Sequence, residues 1–148
     1  MGDLTENLSR HEFDCPCDYP SCSRTPVDYM LAFTIQRLAD HFKESCTSDI
    51  ERISVTINSG VRCKFYDKEM KLKNELDFNN KKVSEHVWGI AADFFFEMVF
   101  PDGTRELIAP GLVYATLDSW FPYSYGIGQY NGRTHFDVRP ERARWDNR

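Results

Sequence analysis

Two strand-like runs joined by Asn131-Gly132 constrain this chain more than any other feature. Gly126-Ile127-Gly128-Gln129-Tyr130 precedes the pair, and Arg133-Thr134-His135-Phe136-Asp137-Val138-Arg139 follows it. Asn-Gly between such runs signals a hairpin, because both residues tolerate the positive φ of a type I′ turn. An antiparallel sheet is therefore expected here. On the second run, His135, Asp137 and Arg139 share a face, since side chains on a strand alternate with period two. That polar triplet reads either as a solvated hairpin face or as part of a site.

The remaining elements follow from periodicity. Residues 1–26 read as irregular, with Pro26 suited to the first turn of a helix. Val27, Met30, Leu31, Ile35, Leu38 and Phe42 fall at helical spacing, so an amphipathic helix packed on a sheet is expected to about Phe42. Ile53-Ser54-Val55-Thr56-Ile57 alternates and is β-branched, the pattern of a strand with one buried face. Residues 64–83 are polar and lysine-rich and read as a long surface loop with at most one helical turn. Ile90 to Phe100 is a dense apolar run leading into the turn signal Pro101-Asp102-Gly103-Thr104. Pro110-Gly111 opens a second helical pattern, Leu112 to about Trp120. The order predicts an α+β fold: a small central antiparallel sheet with helices on one side. No repeat or linker divides the 148 residues, so a single domain over 1–148 is expected.

Composition excludes several classes. Lys and Arg number 18 against 23 Asp and Glu, a net charge of −5, which speaks against a nucleic-acid partner needing a basic face. No apolar run approaches the ~20 residues of a membrane span, so no membrane role is expected. The opening Met1-Gly2-Asp3-Leu4-Thr5-Glu6-Asn7 has neither the basic nor the apolar part of a signal peptide. Synthesis in the cytoplasm with reduced thiols is the expectation, and five cysteines, an odd number, require no disulfide framework.

Two segments carry chemistry. In Ser84-Glu85-His86-Val87-Trp88-Gly89-Ile90-Ala91-Ala92-Asp93, an imidazole and a carboxylate stand at the entrance to the apolar run. A carboxylate there is costly unless paired or bound to a metal, and Gly89 permits a tight path bringing His86 back over Asp93. A structural Asp that orders a loop is the plain alternative. With His135, the segment supplies two histidines and one carboxylate, a set suited to catalytic zinc with an open fourth position.

Here the chain resembles a family. Ser84-x-His86-x-x-Gly89-x-Ala91-x-Asp93 matches every fixed position of the SxHxxGxAxD motif of the M15 zinc peptidases. That group includes D-Ala-D-Ala carboxypeptidases and phage L-alanyl-D-glutamate endolysins, and hedgehog proteins share its fold. Ser59-Gly60-Val61-Arg62-Cys63 is similar to the family's SGYRC segment. Gly126-Ile127-Gly128, His135-x-Asp137-x-Arg139 and Ala143-Arg144-Trp145 resemble the ending of one branch, as does the opening Leu8-Ser9-x-x-Glu12-Phe13-x-Cys15-x-Cys17.

The resemblance implies a zinc ion held by His86, Asp93 and His135, and a peptidoglycan stem peptide as substrate. It implies that Arg62 binds a substrate carboxylate or carbonyl and steadies the oxyanion, against the alternative of a surface arginine. Ser84 would support a ligand or the substrate, or be a plain loop serine. Trp88 and Tyr130 are the aromatics expected to line a substrate groove. A monomer is expected, acting on the cell wall after release or from a virion.

Departures matter. Many M15 enzymes place a catalytic carboxylate three residues before the last histidine, and that position is Gly132 here. Asp137 is then either the base or the partner of His135. The "GGA" element common before the first motif is replaced by Asp77-Phe78-Asn79-Asn80-Lys81-Lys82. A non-catalytic metal-binding module, as in hedgehog, and a structural phage protein with a vestigial site are the rivals. Two lesser features remain. His11, Cys15, Cys17 and Cys22 are read as a loop of free thiols in preference to a small structural zinc site, because the spacing is not that of a finger. His41 is read as interacting with the C-terminal end of the first helix.

Overall fold

A computed structural model describes residues 2–22, 24–73 and 84–148. In chain order it comprises helix α1 (Tyr29–Ser45), strand β1 (Arg52–Ser59), helix α2 (Lys64–Lys73), strands β2 (Ala91–Val99) and β3 (Arg105–Leu107), helix α3 (Pro110–Trp120), and strands β4 (Gly126–Tyr130), β5 (Arg133–Asp137) and β6 (Ala143–Asp146). The fold is α+β. The six strands form one sheet in the order β1-β2-β5-β4-β6, with β3 paired to β2.

The expected antiparallel sheet needs a correction: it is mixed. β6 runs parallel to β4, while the other pairings are antiparallel. The hairpin forms over Asn131-Gly132, but only Gly132 has positive φ (81°), so the turn is not type I′. α1 starts later than expected. Asp28 caps it, its carboxylate accepting from the N–H groups of Met30 and Leu31, and Pro26 lies outside the helix. The loop expected over 64–83 is a helix as far as Lys73; the Asp77–Lys82 stretch lies outside the described residues.

Alternation explains both faces of the sheet. Ala92, Phe94 and Phe96 of β2, Ile127 of β4 and Phe136 of β5 meet Leu31, Ile35, Leu38 and Phe42 of α1 and Val113 and Leu117 of α3 in one buried core. Each buried phenylalanine contributes about 1.5–3 kcal/mol over exposure. Leu8 and Phe13, from the segment expected to be irregular, are fully buried in that core. α1 and α3 thus cover one face. α2 instead packs beside a 3-10 turn at Glu85–Trp88, so the helices do not all serve the core layer. The opposite face carries the odd residues of β2 and β5, among them Asp93, His135 and Asp137. Among the described residues no helix is long and apolar enough to cross a membrane.

Candidate metal centre

Register builds the site. Residues directly opposed across neighbouring strands share a face. Ser59, Asp93, His135, Gly128 and Trp145 form one such row across β1, β2, β5, β4 and β6; Ala91, Asp137, Gly126 and Ala143 form the next. Asp93 and His135 are therefore neighbours by strand pairing alone. His86 arrives from the 3-10 turn. Ser84 caps that turn, its Oγ accepting the His86 N–H at 3.3 Å, and Gly89 ends it in the left-handed region (φ 73°).

His86, Asp93 and His135 are all buried, and each offers a ligand atom within 4.8 Å of the others. His86 Nδ1 lies 2.7 Å from the Gly60 carbonyl, which can only accept. Nδ1 therefore carries a proton, and Nε2 faces Asp93 Oδ2, 3.5 Å away. His135 Nδ1 is 2.8 Å from Asp93 Oδ1, and its Nε2 is 2.7 Å from Asp137 Oδ2.

The electrostatics agree with the geometry. Burial alone would push the Asp93 carboxyl up, but hydrogen bonds from His135 and His86 hold it far below the ordinary carboxylate range. Burial likewise opposes ionisation of Asp137, and His135 and Arg139 overcome it. Burial disfavours the His135 cation, yet hydrogen bonds to Asp137 and Asp93 raise its pKa above the usual value. Two imidazoles and a charged carboxylate, each with its outer nitrogen or oxygen anchored, fit a divalent metal such as zinc by donor chemistry.

Asp137 is fully buried, and both its oxygens are engaged. Arg139 grips it through Nε and Nη2, each at 2.7 Å, while Oδ2 also meets His135. Asp137 thus sits between His135 and Arg139 as a hydrogen-bonding partner of both. Gly126 and Gly128 make the room. A Cβ at Gly126 would lie 2.6 Å from Asp137 Cγ, and one at Gly128 would lie 2.7 Å from Trp145 Cζ2. The Trp145 ring packs 4.9 Å from the His135 ring.

The remaining expected residues divide. Arg62 reaches the site: Nη2 is 3.6 Å from Asp93 Oδ2, Nη1 is 3.5 Å from Asp67 Oδ1, and Nε donates to Ser59 Oγ at 3.0 Å. Trp88 is 54% exposed and lines a cleft with Thr25, Phe65 and Val87. Tyr130 does not line that cleft. Its hydroxyl accepts the Trp145 Nε1–H at 2.8 Å, and Arg133 covers its ring, so it braces Trp145 against His135. Asp67, buried on α2 and paired with Arg62 and Lys71, was not anticipated, because its segment read as loop. His41 packs edge-on against Trp120.

A second cluster departs from expectation. Cys15, Cys17, Cys22 and Cys63 bring their sulfurs within 4.8 Å of one another. Cys63 stands where His11 was weighed, and the thiols are not scattered along a loop.

Comparison of the chain with protein-family models, with curated proteins and with solved structures found no match.

Proposed function

We propose that the chain is a zinc-dependent peptidase of the M15 type, with the hedgehog-like fold of that group, hydrolysing a peptide bond in peptidoglycan stem peptides. The observation that carries this reading is the convergence of His86, Asp93 and His135, from separate segments, beside the Arg62 guanidinium. Bound zinc supplies Lewis acidity and a water acidified toward neutral pH. His86, Asp93 and His135 would hold it. Asp137 fixes the His135 ring and keeps its proton on Nε2, acting as a positioning residue. Arg62 makes two long ion pairs and one hydrogen bond, leaving N–H donors for a substrate carboxylate or carbonyl. The exposed Trp88 ring offers an apolar contact to the peptide.

The second reading is a non-catalytic metal-binding module. Two observations favour it: Gly132 stands at the family's carboxylate position, and Asp137 is committed to Arg139 and His135. Mass spectrometry of purified peptidoglycan after incubation with the zinc-loaded protein separates the readings. New peptide termini, lost in His86→Ala, are expected. Arg62→Gln is expected to keep its zinc and lose most of the hydrolysis. One equivalent of zinc that is lost in His86→Ala/His135→Ala, without new termini from the wild type, would establish the module instead.

A further inference from the structure

We propose that Cys15, Cys17, Cys22 and Cys63 form a second metal site, a tetrathiolate zinc centre that fastens the N-terminal segment to the Arg62 loop. The inference is independent of the function proposed above. A zinc tetrahedron with bonds of about 2.3 Å has sulfur–sulfur edges of about 3.8 Å. The four sulfurs already lie within 4.8 Å of one another, with Cys17 and Cys63 at 3.5 Å. Small rotamer changes bring them to that figure. Four thiols crowded together have little to offer one another as neutral groups, since S–H is a weak donor and sulfur a weak acceptor.

Backbone amides point at two of the sulfurs. The Cys63 N–H donates to Cys15 Sγ at 3.3 Å, and the Tyr66 N–H donates to Cys63 Sγ at 3.4 Å. Cys63 also directly precedes α2, whose N-terminal end carries positive partial charge. The segment bearing the other three cysteines is rich in proline and polar residues and has little of its own to bury between Asp14 and Thr25. A metal cross-link supplies what a hydrophobic anchor does not. Soft thiolates in a four-sulfur set select zinc over magnesium or calcium. Cys46 lies apart, against Met98, and takes no part.

The consequence is local to Arg62. Its N–H donates to the His86 carbonyl at 3.1 Å, and the next residue would be a zinc ligand. The thiolate centre thereby holds the loop that presents the guanidinium.

The test is metal stoichiometry with cobalt spectroscopy on the full chain. Metal-free wild-type protein titrated with Co²⁺ should develop thiolate-to-cobalt charge transfer in the near ultraviolet and the strong visible bands of tetrahedral cobalt. The His86→Ala/His135→Ala variant should keep that spectrum and one zinc per chain, which separates this site from the histidine site. Cys17→Ser and Cys22→Ser should lose one equivalent and the charge-transfer band, and Cys46→Ser should lose neither. The wild-type titration needs no cysteine variant to fold. Cobalt bound without sulfur charge transfer would overturn the proposal. So would a Cys17–Cys63 disulfide in the native protein, seen by mass spectrometry under non-reducing conditions.

Discussion

Gly126→Ala tests the architecture of the histidine site with a single methyl group. The residue lies on β4 directly opposite Asp137, and an added Cβ would stand 2.5 Å from Oδ1 and 2.6 Å from Cγ. A flexible surface carboxylate would swing aside. Asp137 has no such freedom, because Arg139 holds it from two directions, His135 from a third, and no solvent reaches it. Forcing a methyl into a packed site costs about 1–3 kcal/mol. Losing one charge-assisted hydrogen bond adds about 1.5–3 kcal/mol. A total of about 2.5–6 kcal/mol lowers Tm by at least about 5 °C in a chain of this size. Loss of the Asp137 anchor should also weaken zinc binding by about 10–100-fold. Gly132→Ala is the control. Its φ is 81° and no atom lies within 4 Å, so only backbone strain of about 1–2 kcal/mol applies and zinc affinity should not change. Calorimetric melting and competitive zinc titration of both variants give the answer. Wild-type melting and affinity in Gly126→Ala would refute the claim that Asp137 is immobile and orients His135.

Three further outcomes follow from the geometry. Tyr130→Phe removes the acceptor for Trp145 Nε1–H at 2.8 Å and should cost about 1 kcal/mol in denaturant unfolding, with the His135 ring less ordered by NMR. Asp28→Ala removes the cap of α1 and should cost about 1 kcal/mol without altering zinc affinity. The metal-free protein should show a two-sided pH profile. Asp93 and Asp137 are held below their ordinary values, so their contribution is present above about pH 4 and is lost as pH falls through the depressed values. His135 is raised, so its contribution is present below about pH 6.5 and is lost as pH rises through the elevated value. Urea midpoints across the pH range measure this, and Asp137→Asn should flatten both limbs.

Much of the site was legible because its chemistry is written in short segments. His86 and Asp93 sit seven residues apart, and a carboxylate in an apolar strand announces a partner. Strand alternation placed His135 and Asp137 on one face, and β2–β5 pairing then set His135 against Asp93. What stayed hidden depends on contacts between distant segments. Cys63 joins Cys15, Cys17 and Cys22 only because the chain folds back after β1, and no spacing rule reports that. β6 pairs parallel to β4, so it lacks the hairpin turn that advertises an antiparallel neighbour. The α2 sequence carries four lysines in ten residues and few apolar ones, so composition reads it as loop. Asp137 was ambiguous because its role depends on Arg139 closing over it, a side-chain choice that sequence does not state.

The seam between β2 and β5 also bears on exchange kinetics. Asp93 lies on one side of it and His135 on the other, and β5 reaches β2 only after a long excursion of chain through α3 and β4. An ion bridging that seam works as a rivet: the two strands cannot part while it stays, and it cannot leave by the fraying of an outer strand. Its residence time would then track the opening of the middle of the sheet, so slow release to a chelator would report on that opening as hydrogen exchange does.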